Sequence, residues 1–313
     1  MDYSMMNNRI SYKKAFAFSI TMWIVASLLF ATVVVLRFAK DEVGLSRGLN
    51  NKLQTQLMAT SVLEALKFYV PTADYTLSSL KNELLTNIKY PFPSEIIVDG
   101  REYNLTKEIT ISLKDTSGLL NVSYGSSSMI AKALSSQKNE ELSHILKNSL
   151  DDWRDTDNVP KINGAEQSSY SSLDKKIIVR NNEAIQDIHE LKLINGFDKI
   201  DFELIKANLY FGRGVSMNLM LIENRRYLAN VLQVDESLIE DMLEIKKSEP
   251  LRFMKMIEKL PTYNDDYMGF WLSKQFRVTI KAKKGKARSI IYATLNFKQV
   301  NQQPYMTLSY VIY

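Results

Sequence analysis

Ala15 to Leu36 is a run of 22 residues without a charge, containing about twelve Leu, Ile, Val and Phe. About twenty helical residues cross a hydrocarbon layer of roughly 30 Å, so the run predicts a membrane-spanning helix. A cleaved secretory signal would have a shorter apolar region and then a small-x-small site. Here the run leads directly into Arg37-Phe38-Ala39-Lys40. Arg9, Lys13 and Lys14 against Asp2 give residues 1–14 a net charge of +2. The positive-inside rule then places the amino terminus in the cytoplasm, with a contrast that Arg37 and Lys40 reduce, and everything after Lys40 across the membrane.

Helical signals continue past the anchor. Leu49, Leu53, Leu57, Leu63, Leu66 and Val70 form an apolar stripe that Pro71 stops. A helix from Ala15 to Tyr69 would be about 80 Å long, its outer half laying an apolar face on a soluble domain; two helices broken at Gly44 to Gly48 are the alternative. Glu108 to Lys114 alternates as a half-buried strand, Asp115 to Gly118 supplies a turn, and Leu119 to Ser123 resumes extended structure. Residues 128–150 read as one helix, and Ile185 to Leu260 as a small bundle in which Leu219, Ile222, Leu228, Val231, Ile239, Met242 and Ile245 mark the amphipathic helices. Phe276–Ala282, Ile291–Phe297 and Met306–Ile312 then alternate as a three-stranded antiparallel meander. The simplest architecture that buries these strand faces is α+β: a long helix on an antiparallel sheet, with a helical domain inserted in the sheet's sequence.

The densest chemistry lies in Asp151-Asp152-Trp153-Arg154-Asp155-Thr156-Asp157 and the loop that follows to Glu166. Four aspartates in seven positions repel one another unless a cation neutralises them. Arg154 and Lys161 are the cations inside the segment, and long flexible side chains fill a carboxylate cage poorly. Calcium accepts six to eight oxygens, and Asp155, Asp157, Asn158, Asn163 and Glu166 offer carboxylates and amides. Asp155, Asp157 and Glu166 match positions one, three and twelve of an EF-hand, but Val159 and Pro160 stand at five and six, where a ligand and the glycine of a sharp turn belong. The loop is therefore not an EF-hand. A metal site, a solvated acidic turn over an inward Trp153 and a catalytic carboxylate pair all remain open.

Other features narrow the function. The formal charge of +5 over 313 residues is too weak a bias for nucleic acid. Cysteine is absent, which removes disulfides and thiolate zinc sites. Lys281, Lys283, Lys284, Lys286 and Arg288 make a basic hairpin, read as a solvated turn that guards a strand edge rather than a phosphate site. The two histidines, His144 and His189, stand in helical contexts, and no nucleophile elbow or phosphate loop accompanies them.

Several separated signatures occur in order: Ile111-Ser112-Leu113-Lys114-Asp115 through Gly118 and Leu120-Asn121-Val122; Asp152-Trp153-Arg154-Asp155 with Asp157, Pro160, Asn163-Gly164-Ala165-Glu166 and Tyr170; Asn182; Glu190-Leu191-Lys192-Leu193-Ile194 with Gly196; and Ser273 with Phe276-Arg277-Val278. Together they resemble the K-type minor pseudopilin of bacterial type II secretion systems, over roughly residues 15–300. It implies a pseudopilin fold with a large inserted helical domain: a leader-like cytoplasmic segment 1–14, a transmembrane helix 15–36, its continuation 37–70, a pilin-like sheet from 71–125 and 271–313, and an insertion over 126–270. It implies calcium, with Asp152, Asp155, Asp157, Glu166 and Asn182 as ligand candidates and Trp153 and Tyr170 packing the loop.

The same resemblance implies a heterotrimer with I-type and J-type minor pseudopilins at the pseudopilus tip, contact with other pseudopilins, the inner-membrane platform and secreted proteins, and no enzymatic activity. Its processing site would fall at Ala15 and Phe16, with alanine where prepilin peptidase substrates carry glycine. Ile20 stands where ordinary pilins have a glutamate that compensates a neighbour's amino terminus. The rival readings are a single-pass membrane sensor with a calcium-stabilised ligand-binding domain, for which fourteen residues leave no room for a cytoplasmic effector, and a carboxylate-based hydrolase.

Overall fold

A computed structural model describes residues 3–84, 90–135, 139–171, 177–179, 184–202, 206–214, 216–298 and 305–313. Helix α1 (Tyr3–Tyr69) is one continuous element of 67 residues, so the break at Gly44 to Gly48 does not occur. Each glycine costs a helix about 1 kcal/mol relative to alanine, too little to interrupt one already nucleated on both sides. The helix ends two residues before Pro71, whose ring cannot follow a helical residue. Asn82 Nδ2 donates to the Tyr69 carbonyl at 2.9 Å and satisfies one of the terminal acceptors.

The expected stripe on α1 divides in two. Leu63, Leu66 and Val70 are buried with Thr55, Ala59, Val62 and Tyr69, but Leu49, Leu53 and Leu57 remain 64, 54 and 58% exposed. The buried set advances by alternating steps of four and three, which keeps it on one face; at 100° per residue the three leucines lie about 120–200° round the helix from Thr55. They face away from the domain. From Phe16 to Asn50 every described side chain is exposed except the partly covered Val34.

A small sheet of β1 (Asp74–Tyr75), β2 (Ser79–Lys81) and β3 (Glu95–Ile97) follows the helix. The main sheet begins with β4 (Asp99–Asn104) and β5 (Ile109–Asp115) and is completed after the insertion by β10 (Gln275–Lys284), β11 (Ala287–Asn296) and β12 (Met306–Ile312), in the order β12-β11-β10-β5-β4, all antiparallel. Its register aligns Ile111, Ile280, Ile291 and Ile312 in one row. The first three are fully buried and share a core with α1.

Between β5 and β10 the chain builds a second core running from Leu120 to Phe270. Leu120 and Val122, expected in the sheet, belong to this core, because β6 (Leu120–Asn121) pairs in parallel with β7 (Leu209–Tyr210). The helix expected over 128–150 is two, α2 (Ser127–Leu134) and α3 (Glu140–Arg154), with α3 capped by Asn139, whose side chain accepts from Leu142 N at 3.1 Å. Strands β8 (Met217–Asn218) and β9 (Met268–Gly269) form a short parallel pair. Leu219 opens a 3-10 turn rather than a helix, since Asn218 Oδ1 bonds Met220 N at 2.9 Å. Helices Arg225–Leu232, Glu236–Ser248 and Pro250–Ile257 complete the unit.

Candidate metal centre

Leu146, Leu150 and Trp153 recur at helical spacing on α3 and are buried. This packing carries Asp152, in the last turn of the same helix, to a fully buried position. The chain leaves α3 at Asp155 in an extended conformation. Asp157 Oδ1 accepts from Val159 N at 2.8 Å and bends the next segment. The loop then returns over Asp152, to which Lys161 N donates at 3.1 and 3.3 Å. Asn163 turns it through a positive φ of 60°. At Gly164 the backbone passes so close that an added Cβ would lie 2.0 Å from Asp152 Oδ2, so this approach requires glycine. Glu166 follows, just ahead of helix Gln167–Ser171.

The result brings carboxylate oxygens of Asp152, Asp155 and Glu166 within 4.8 Å of one another. Lys161 Nζ lies 2.6 Å from Asp155 and 3.3 Å from Asp152, so the long side chain expected to fit badly does reach two of the three. Arg154 turns away and donates to the carbonyls of Gly125 and Val122. Glu166 is fully buried, and neither of its carboxylate oxygens, nor Asp155 Oδ1, has a hydrogen-bond partner. Burial, reinforced by the charges of Asp152, Asp155 and Asp157, pushes the Glu166 carboxyl above its ordinary range. One ammonium thus faces three carboxylates, with three acceptor oxygens left over. A hard cation that takes oxygen ligands fits this donor set.

The remaining candidates sit differently. Asp157, exposed, is outside the converging trio, and Asn158 and Asn163 are exposed as well. Asn182 lies outside the described residues. The wall behind the loop is Trp153, 1% exposed, packed edge-on to Tyr170 with centroids 5.4 Å apart. Glu190 Oε1 accepts from Trp153 Nε1 at 3.1 Å, and Asn195 N donates to the Tyr170 hydroxyl at 3.0 Å. Asn195 Nδ2 also reaches the Asn163 carbonyl at 3.3 Å. Lys161 and Glu190 stand in segments that the sequence singles out, but their supporting roles, like that of Asn195, depend on a loop closing over distant residues. His144, about two turns before Asp152 on α3, and His189, on helix Ile188–Leu191, are both exposed and outside the converging trio. Ala15 and Phe16, the expected processing pair, lie within α1.

Residues 119–207 match the family described as Type II secretion system (T2SS), protein K. The match covers 89 of the 313 residues and spans all five expected ligand positions, from Asp152 to Asn182. In three dimensions the chain is similar to a chain of the crystal structure of the GspK-GspI-GspJ complex from the enterotoxigenic Escherichia coli Type 2 Secretion System, with a TM-score of 0.50 and 12% sequence identity, covering 88% of this chain and 99% of that one. No curated protein sequence matches the chain. The fold is an α+β pseudopilin-type fold like that of the chain it matches, and its amino-terminal helix is long and apolar enough to cross a membrane.

Proposed function

We propose that this chain is the tip subunit of a type II secretion pseudopilus, where it nucleates assembly with an I-type and a J-type minor pseudopilin and supports protein export across the outer membrane. Its domain beyond Lys40 lies in the periplasm. The carrying observation is the exposed apolar face of α1, on which Leu45, Leu49, Leu53 and Leu57 are all more than half exposed. A helix face with four uncovered leucines is an association surface, and a second helix laid along it buries them. The K-type structure it resembles was solved with two partners, which supports that number here. Ile20 supplies no carboxylate for a subunit above, and the helical insertion adds bulk on the domain that a stacked subunit would have to pass.

Calcium is the cation we assign to Asp152, Asp155 and Glu166, with Asp157 on the same loop and Asn182 kept as a candidate from the sequence. When bound it would supply the positive charge that the buried Glu166 lacks and fix the loop on α3. The role is structural. The test is co-expression of the full chain with candidate I-type and J-type pseudopilins and isolation in detergent. A one-to-one-to-one complex is expected, and filaments containing this chain along their length would overturn the tip position.

A further inference from the structure

The basic hairpin between β10 and β11 has a place in the fold that its sequence does not reveal. Gly285 lies beside Asn51, Lys52 Nζ donates to the Arg288 carbonyl at 2.6 Å, and Thr55 and Ser289 share a hydroxyl bond of 2.8 Å. The opposite end of the sheet lies near the end of α1, where Lys67 sits over the Tyr305 ring at 5.0 Å. Since α1 enters the domain from the anchor, the hairpin tip is the part of the sheet closest to the membrane. The β4–β5 turn shares this edge, with Lys283 N donating to the Glu108 carbonyl at 2.9 Å and Lys107 exposed.

The charges there are unevenly used. Lys281 pairs with Glu102 at 2.5 Å, and Lys284 donates to Gln54. Lys283, Lys286 and Arg288 are exposed, and among the described residues no carboxylate forms an ion pair with them. The turn joins two interior strands, β10 and β11, so it does not guard a strand edge as its sequence suggests. It presents three uncommitted cations on the side of the domain that faces the bilayer. The neck between anchor and domain, residues 37–50, is exposed throughout and contains Gly44 and Gly48, with no atom near either one. From Leu36 to Asn51 an upright helix rises about 22 Å, more than a Debye length of about 8–10 Å above the headgroups. Tilt of the anchor, commonly about 20° and up to about 40°, lowers this rise by only about 1–5 Å, so seating the edge requires the neck to bend, and Gly44 and Gly48 are the positions in it where a helix bends most readily.

We propose that Lys283, Lys286 and Arg288 seat the domain on anionic phospholipid headgroups, so that the subunit lies on the membrane surface before it is drawn into a fibre. Each cation at an anionic surface contributes roughly a factor of five to binding, so reversing three weakens the seated position roughly a hundredfold or more. The chain has no cysteine, and Ala287→Cys therefore gives a single labelling site at the hairpin. The full-length labelled chain is placed in nanodiscs of phosphatidylcholine or of phosphatidylcholine with phosphatidylglycerol, and energy transfer to headgroup-labelled lipid is read. Strong transfer is expected only with phosphatidylglycerol, lost in high salt and in the Lys283→Glu, Lys286→Glu, Arg288→Glu variant. The corresponding triple glutamine variant reads the same loss with less strain on folding. Equal transfer in both lipids, or transfer indifferent to both triple variants, overturns the proposal.

Discussion

The Asp115 carboxylate accepts the Ser273 hydroxyl at 2.6 Å and the Ser273 backbone N–H at 2.9 Å, joining the strand that leaves the sheet to the strand that returns 158 residues later. The same carboxylate accepts from Ser117 N at 2.8 Å and Ser117 Oγ at 2.6 Å. Asp115 is fully buried. One carboxylate with four donors thus ties the start of the helical insertion to the segment that returns to the sheet.

Replacing Asp115 with alanine strands buried donors on both ends of the insertion and is expected to cost about 2–3 kcal/mol, read as a lower urea midpoint. The group also gives a pH signature. Burial pushes its carboxyl above the ordinary range, and the serine hydrogen bonds only partly oppose this. A folded-state value above the unfolded one means that its contribution is fully present below the unfolded value and is lost as pH rises through the folded one. Wild-type stability should therefore decline relative to Asp115→Asn as pH rises across that window. Parallel profiles for the two proteins would show that burial does not outweigh the four hydrogen bonds at this carboxyl.

Calcium should raise the melting temperature, and a chelator should lower it. At 100 times its dissociation constant a ligand adds about 2.7 kcal/mol to stability. Asp155→Asn with Asp157→Asn should abolish the calcium-dependent rise. Glu166→Gln should abolish it too, yet leave the chelated protein as stable as wild type or more so, because the variant replaces a buried charge whose oxygens have no partners. A chelated Glu166→Gln protein that melts well below chelated wild type would mean that the carboxylate is held by the protein alone.

How far these features can be read from sequence depends on whether their cause is local. The meander was legible because Phe276, Val278, Ile280 and Ala282 alternate with polar residues and are buried as that alternation demands. Strand β4 was not, since Asp99-Gly100-Arg101-Glu102-Tyr103-Asn104 is a polar edge strand defined by its pairing with β5. The stripe on α1 is half legible: Leu63, Leu66 and Val70 pack on the domain, whereas Leu49, Leu53 and Leu57 do not, and Thr55 and Ala59, which pack in their stead, carry a weaker apolar signal. In the acidic loop the donor types were plain in the sequence. The convergence of Asp152 with Glu166, however, needs the turn at Asn163 and the bare backbone of Gly164, and although Asp115 and Ser273 both stand in the resembling signatures, nothing local pairs them across 158 residues.

The exposed leucines give a prediction that separates folding from assembly. Leu53→Glu with Leu57→Glu alters side chains that touch no core, so the stability of the isolated chain should shift by no more than about 0.5 kcal/mol. Recovery of I-type and J-type partners with it should be lost. Retained partners alongside intact stability would move the association surface off this face of α1.

The orientation of the chain follows from the same helix and can be read with single cysteines. Ile162 is 83% exposed on the acidic loop, and Ser4 precedes the cationic flank of Arg9, Lys13 and Lys14. If those cations hold the amino terminus in the cytoplasm, an Ile162→Cys chain in cells with a permeabilised outer membrane should react with a membrane-impermeant maleimide while the inner membrane is intact. A Ser4→Cys chain should react only after the inner membrane is broken. The contrast does not rest on charge counting, since Arg37 and Lys40 on the other flank weaken that count; it rests on which side each thiol meets the reagent. Labelling of Ser4→Cys in intact spheroplasts, with Ile162→Cys protected, would reverse the topology and remove the domain from the compartment in which a pseudopilus is assembled.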